Sequence, residues 1–195
     1  MKRFEKILFS GLIIGTLLVG CGQTNVTKAD KTTIEISNDG SIIQQIVEDF
    51  SEPYYDFSEM EKEINSEVSA FNSSKGKDLI SIQDASKKDK KARVTMTYKD
   101  TDSYGEFNDV VLFMGKMKDA VKKGYNIPVK LVDSNKKQVN TSDFSDDSQV
   151  LILSEKISVL TSDSIVAGSM GTIFSNSKSV DLSKVTDEYA VLILN

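Results

Sequence analysis

The chain contains a single cysteine, Cys21, and no histidine. One cysteine cannot form an intramolecular disulfide, so the folded part has to be stabilised by the packing of apolar side chains. About 175 residues remain when the first 20 are set aside, which is enough for one domain with a substantial hydrophobic core. The position of Cys21 is the second constraint, because an apolar segment ends there.

That apolar segment has the composition of an export signal. Lys2, Arg3 and Lys6 form a basic start, and residues 7–19 are apolar except for two glycines, one serine and one threonine. Roughly 13 residues at about 1.5 Å each reach only about 20 Å as a helix, short of the roughly 30 Å hydrocarbon core of a bilayer. The segment therefore favours a removable signal peptide over residues 1–20 rather than a permanent membrane span.

The last four residues, Leu18-Val19-Gly20-Cys21, resemble the lipobox of bacterial lipoproteins. The resemblance implies that a signal peptidase recognises Leu18, Val19 and Gly20, cuts before Cys21, and leaves a diacylglyceryl group on the Cys21 thiol. It also implies localisation at the outer face of the cell membrane, where two acyl chains make a durable anchor. The alternatives are a plain secretory signal followed by a free thiol, or an uncleaved anchor helix.

Charge and composition narrow the possible functions. Removing residues 1–20 takes away three cations and one anion, which leaves 21 Lys and Arg against 28 Asp and Glu and a net charge near −7. An acidic domain argues against a nucleic acid partner, and against adhesion to anionic lipid through overall charge alone. The absence of histidine excludes Ser-His-Asp catalysis and histidine-ligated zinc. No cofactor is expected.

Residues 21–31 are polar and without periodicity, which predicts a flexible tether, and hydrophobic periodicity predicts one α+β domain over residues 32–195. The lipobox resemblance implies that this domain is extracytoplasmic. Alternating isoleucines around Asn38-Asp39-Gly40 predict a hairpin. An apolar stripe at helical spacing, Met60, Ile64, Val68 and Phe71, predicts a core-facing helix over 56–73. Residues 102–125 fit either a helix, a strand and a second helix, with bounds near 103–109, 110–114 and 117–123, or one long helix.

The remaining patterns predict mainly strands, separated by Ser, Asp, Asn and Gly. The fold class is therefore α+β, with a mainly antiparallel or mixed sheet of about 7–9 strands and two to three helices. The predicted strands, including the first hairpin, cover residues 32–37, 41–49, 79–84, 93–98, 129–132, 149–154, 156–160, 165–168 and 189–194.

A second resemblance concerns the mature chain. Residues 32–50, Tyr98 with Phe107-Asn108, residues 112–115 and residues 120–125 are similar to a group of lipoproteins from gut-type Gram-positive bacteria. The similarity implies a lipoprotein and supplies no activity or site.

Four short segments are candidates for chemistry or binding. Asp100 and Asp102 begin a sequence like a calcium-binding EF-hand loop, but position five is Tyr104 and position twelve is Val111. A solvated helix cap is the preferred interpretation, and no metal is expected. A loop with Asp143, Asp146 and Asp147 is a candidate ion site, with a solvated loop as the preferred interpretation. Tyr54 and Tyr55 fit either a platform for a sugar ring or packing residues. The basic run at residues 87–91 fits either a solvated hairpin tip or a contact with anionic polymer or lipid.

These observations favour a non-enzymatic binding or interaction module at the cell surface, held to the membrane at Cys21. Its partner would be an envelope polymer, a glycan or another protein. The alternative is a hydrolase without histidine that uses two facing carboxylates, as glycosidases do. The sequence singles out no such pair among its acidic residues.

Overall fold

The computed structural model describes residues 26–195, so the predicted signal peptide, the lipobox and Cys21 lie outside the described residues. Within that range the fold is α+β, with three α-helices and thirteen strands in two sheets. The helices are α1 (Phe57–Lys75), α2 (Thr101–Asn108) and α3 (Met117–Lys122). No helix among residues 26–195 has the length and hydropathy that a membrane span requires.

The first sheet has seven strands in the order β11-β12-β9-β1-β2-β4-β3. All its pairings are antiparallel except β1 with β9, which are parallel. Its strands are β1 (Thr33–Ile36), β2 (Ile42–Asp49), β3 (Ile80–Lys88), β4 (Lys91–Tyr98), β9 (Ser158–Thr161), β11 (Ile173–Asn176) and β12 (Ser179–Asp181).

The second sheet has six strands in the order β5-β8-β13-β10-β6-β7, and all its pairings are antiparallel. Its strands are β5 (Leu112–Lys116), β6 (Lys130–Asp133), β7 (Gln138–Asn140), β8 (Gln149–Leu153), β10 (Ile165–Ser169) and β13 (Ala190–Leu194).

The central strands of the second sheet, β8 and β13, are buried on both faces. In β13 every residue is at most 6% exposed, and successive side chains point to opposite faces of a strand. Leu192 faces the main core, which it shares with Ile34 and Ile36 of β1 and with Val94 and Met96 of β4. The neighbouring residues of β13 enter a second core on the other face, together with side chains of β8 and α3; its members include Val191, Ile193, Val150, Ile152, Met117 and Ala120. The second sheet is thus the middle layer of the molecule.

Helix α1 covers the edge strand β3 of the first sheet. Val68 is 8% exposed, and Met60, Ile64 and Phe71 pack against the main core beside it. The predicted core-facing stripe of this helix is therefore confirmed. Asp56 caps the first turn, and Gly76, with φ of +65°, ends the helix in a left-handed conformation that glycine adopts without strain.

Most predicted elements are confirmed, including the helix, strand and helix within residues 101–122. Strands are more numerous than the predicted 7–9, because β7, β11 and β12 are only three or four residues long and lack a clear alternating pattern. In the segment predicted as tether, Val26 is 1% exposed and the Ala29 carbonyl accepts a hydrogen bond from Arg93. The domain therefore makes contacts with the chain from residue 26 onward.

The backbone at Gly171 lies close to the backbone at Lys184, and substitution of Gly171 tests this approach. Its φ is +94°, and a β-carbon there would lie 2.2 Å from the Lys184 carbonyl oxygen. Gly124 has a similar φ of +89° but open space around it. Gly124→Ala should cost about 1–2 kcal/mol through backbone strain alone, whereas Gly171→Ala should cost about 3 kcal/mol or more, since the backbone at Lys184 must also move.

Urea unfolding of the two variants measures this difference as a shift of the midpoint at unchanged slope. Equal losses in Gly171→Ala and Gly124→Ala would contradict the close approach.

Candidate functional site

An open cleft of about 520 Å³ lies beside helix α2. One wall is α2 with the residues that follow it. The other contains Ser154, which follows β8, and Glu188 and Tyr189, which precede β13. We call it the α2 cleft. Its lining residues are Thr101, Asp102, Gly105, Glu106, Asp109, Val110, Val111, Leu112, Tyr125, Ser154, Glu188 and Tyr189.

Local hydrogen bonds fix both ends of α2. The Asp100 side chain accepts from the Ser103 N–H at 2.7 Å, and the Ser103 hydroxyl accepts in return from the Asp100 N–H at 3.3 Å. This reciprocal capping box satisfies helix N–H groups that would otherwise lack partners. At the other end Asp109 adopts a left-handed conformation with φ of +55°. The helix therefore stops where the cleft begins.

Gly105 brings α2 close to the chain that leaves it. The Val110 N–H donates to the Gly105 carbonyl at 3.0 Å, and a β-carbon on Gly105 would lie 2.9 Å from the Val110 carbonyl oxygen. The returning chain is held further on, because the Val111 N–H donates to the Ser154 hydroxyl at 3.1 Å and the Ser154 N–H donates to the Val111 carbonyl at 3.0 Å. The floor of the cleft is thus built from fixed backbone.

Two tyrosines supply the aromatic part of the cleft. The rings of Tyr125 and Tyr189 meet edge to face, with centroids 5.8 Å apart, and Tyr125 also packs against Phe113 at 5.4 Å. Both tyrosines are partly exposed. Interaction with the neighbouring Glu188 raises the pKa of Tyr189. An amphipathic ring of this kind offers a ligand both an apolar face and a hydroxyl group.

Four carboxylates complete the lining, namely Asp102, Glu106, Asp109 and Glu188. Glu106 forms an ion pair with Lys75 at the end of α1, and such exposed pairs contribute little to stability. The cleft therefore combines tyrosine rings with an excess of negative charge. Hydroxyl or ammonium groups of a ligand can donate hydrogen bonds to such carboxylates.

A buried chain of polar side chains runs behind the cleft. The Tyr104 hydroxyl donates to Glu155 Oε2 at 2.6 Å and accepts from Gln44 Nε2 at 3.3 Å. The Tyr98 hydroxyl donates to Gln44 Oε1 at 2.6 Å and accepts from Asn108 Nδ2 at 3.3 Å. The chain thus joins β2, β4, α2 and the loop between β8 and β9. It holds α2 against both sheets.

Burial determines the electrostatics of this chain. It raises the pKa of the Tyr104 hydroxyl well above its ordinary value, and the negative Glu155 raises it further. Burial also raises the pKa of Glu155, although the hydrogen bond from Tyr104 opposes that shift. Tyr104 is 0% exposed, so its hydroxyl touches only protein. The pair positions α2, and the Tyr104 hydroxyl does not face a ligand.

The paired-carboxylate hydrolase receives no support from this arrangement. Glu155 faces the Tyr104 phenol. Burial also raises the pKa of Glu48 and Glu67, but these residues lie on β2 and α1. Every buried side-chain nitrogen or oxygen atom among the described residues has a hydrogen-bond partner.

The sequence-predicted site residues are dispersed. Asp100 is the N-cap of α2 and Asp102 lies in its first turn, which agrees with a helix cap. Asp143 accepts from the Asn140 N–H at 3.0 Å, whereas Asp147 pairs with Lys116 at 3.1 Å and Lys118 at 2.7 Å. Within residues 26–195, no group of three or more Asp, Glu or Cys side chains forms a potential metal site.

Sequence reasoning missed the tyrosine pair and the Glu155 chain. Tyr125 and Tyr189 are separated by 64 positions, and Tyr104 and Glu155 by 51. No local motif marks any of the four. Their juxtaposition depends on strand order in the second sheet, which local patterns do not encode.

No known protein family matches this chain. Comparison of the chain with protein-family models, with curated proteins and with solved structures finds no significant match.

The raised pKa of Glu155 predicts the direction in which stability changes with pH. A carboxyl whose pKa is higher in the folded state contributes stability that is fully present below its ordinary value of 4.5 and is lost as the pH rises through the folded value. The free energy of unfolding of the wild type, relative to Glu155→Gln, should therefore increase as the pH falls from 7 toward 4.5.

Urea unfolding at several pH values checks this, with Glu61→Gln on the exposed face of α1 as a control for losing one charge. A wild-type advantage that stays constant, or shrinks on acidification, would contradict the burial of Glu155.

Proposed function

We propose that this protein is a membrane-anchored extracytoplasmic lipoprotein that acts as a non-enzymatic binding module, with the α2 cleft as its ligand site. The observation that carries the proposal is the pairing of two tyrosine rings with four carboxylates in an open cleft of ligand size. The anchor rests on the lipobox resemblance at Leu18-Val19-Gly20-Cys21.

The ligand class follows from the chemistry of the lining. Sugar rings present apolar faces that pack on aromatic rings, and hydroxyl groups that donate to carboxylates. Negative charge in the cleft repels phosphate-rich polymers, because like charges brought together at a binding surface cost affinity. The ligand proposed here is therefore a neutral or amino-bearing glycan of the cell envelope.

A binding role agrees with the construction of the site better than catalysis does. The cleft is wide and open to water, whereas acid–base catalysts such as a glycosidase carboxylate work in sites where burial and neighbouring charge tune their pKa. The partly buried Glu155 behind the cleft is engaged with Tyr104, which is itself inaccessible.

Cys21→Ser tests the anchor. The variant should incorporate no labelled palmitate and should keep its signal peptide, because serine cannot form the thioether on which processing depends. Gel mobility and label incorporation in a lipoprotein-processing bacterium measure both effects. Label that enters Cys21→Ser at the wild-type level would refute the assignment of this residue.

A Tyr189→Ala variant tests the cleft. The detergent-solubilised mature protein should bind neutral or amino-bearing oligosaccharides on a glycan array, and Tyr189→Ala should weaken that binding about tenfold, the cost of a lost aromatic contact of about 1.4 kcal/mol. Tyr54→Ala is the matched control, because Tyr54 is 72% exposed and lies outside the cleft.

Failure of the wild type to retain any neutral or amino-bearing glycan would remove this ligand class. Equal binding by wild type and Tyr189→Ala would place the ligand elsewhere on the domain.

A further inference from the structure

The tip of the β3–β4 hairpin carries a concentrated positive charge on an acidic protein. Lys88 pairs with Lys91, and the two residues between them form the turn, with Asp89 at φ of +56°. All five residues of the run Lys87, Lys88, Asp89, Lys90 and Lys91 are exposed. We call this run the basic turn. Its lysines outnumber its acidic residues four to one, whereas the whole chain has a net charge of −5.

Aromatic side chains adjoin the basic turn. The Phe50 N–H donates to the Lys90 carbonyl at 2.6 Å, and the Lys87 ammonium lies 5.0 Å from the centre of the Phe50 ring. Phe50 packs on Tyr55 at 5.0 Å, and Tyr55 meets Tyr54 at 4.9 Å. Tyr54 projects into solvent at 72% exposure. A tyrosine next to lysines is the side-chain combination found where proteins meet lipid headgroups.

The segment nearest the predicted anchor reaches this same end of the domain. The Lys91 ammonium donates to the Asp30 carbonyl at 3.4 Å, and Arg93 pairs with the Asp30 carboxylate at 3.2 Å. Val26 is buried against β1 and β2. Cys21 precedes Val26 by only five residues, which span at most about 18 Å. A lipidated Cys21 therefore keeps this end of the domain near the bilayer.

The β1–β2 turn, at the opposite end of the same strands, carries one negative charge and contains no lysine. The charge belongs to Asp39, and the neighbouring Asn38 side chain donates to Asp163 at 3.0 Å. The eight residues of β2 separate this turn from the basic turn, a distance of roughly 24 Å along the strand. The run of lysines lies at one end only, so an anionic surface attracts that end more strongly and charge favours a single orientation.

We propose that the basic turn and Tyr54 dock on the anionic headgroups of the membrane that holds Cys21, and so orient the domain on its surface. The inference rests on the proposed lipid anchor, which supplies the proximity. Each lysine near an anionic surface strengthens attachment by about fivefold, and the tether converts a weak contact into an intramolecular one at high effective concentration. The docked orientation leaves the Asp39 end pointing away from the bilayer.

A fluorophore on the mature lipidated protein tests the orientation. Because Cys21 is the only natural cysteine, a thioether there leaves an introduced cysteine as the only free thiol. Glu52→Cys places the dye beside Tyr54, and Asp39→Cys places it at the opposite end. The proteins are reconstituted in vesicles of phosphatidylcholine, with or without one third phosphatidylglycerol, that contain a lipid with a headgroup quencher.

The expected result is quenching of the dye at residue 52 in anionic vesicles, at least twofold stronger than in neutral vesicles, and little quenching at residue 39 in either. Replacing all four lysines of the basic turn by glutamine should abolish the difference. The matched control replaces Lys116, Lys118, Lys122 and Lys123 by glutamine, which changes the net charge equally and should preserve it. Circular dichroism confirms that both variants are folded.

Equal quenching at residue 52 in neutral and anionic vesicles, or none in both, would overturn the proposal. Binding of the basic turn to purified anionic wall polymer, without quenching on anionic vesicles, would overturn it in favour of that polymer. Absence of the lipid anchor would give a different result from absence of docking. Without lipidation the Cys21 thiol is free, so a protein without an introduced cysteine would react with the dye at Cys21.

Discussion

The burial of the central strands of the second sheet on both faces is the constraint on which the rest of the structure depends. Residues of β8 and β13 alternate between two cores, one shared with the first sheet and one shared with α3. A chain without a disulfide obtains its stability from apolar area removed from water, at about 25 cal/mol per Å². Two cores on one central sheet provide more of that area than a sheet with one wet face.

That central layer also determines where polar chemistry can occur. The loop from β8 to β9 carries the chain from one sheet to the other, and the partly buried Glu155 in that loop accepts a hydrogen bond from Tyr104 of α2. The hydrogen bonds through Tyr104 and Gln44 fix the position of α2. The α2 cleft exists because this helix stands at a fixed distance from the segment that enters β13.

The cleft and the basic turn divide the proposed work of the protein between two regions. Tyrosines and carboxylates in the cleft suit an uncharged or amino-bearing glycan, and lysines with Tyr54 suit anionic headgroups. Overall charge is a poor guide here, because a net negative domain can still hold a local positive surface. Salt screens charges beyond a Debye length of about 8–10 Å, so the attraction to the bilayer depends on the charge at the end of the domain that faces it.

The sequence by itself determined the α+β class, the core-facing stripe of α1 and the first hairpin, and it left residues 102–125 open between helix, strand and helix and one long helix, which the structure decided in favour of the first. These features follow from local periodicity and from turn residues, which act over a few positions. It also carries Leu18-Val19-Gly20-Cys21, whose resemblance to a lipobox is the basis of the proposed anchor. Only the tertiary structure decided the division into two sheets, the short strands β7, β11 and β12, and the meeting of Tyr125 with Tyr189 and of Tyr104 with Glu155. Those contacts join residues 51 or more positions apart, and they arise from strand order and burial, which no local pattern specifies.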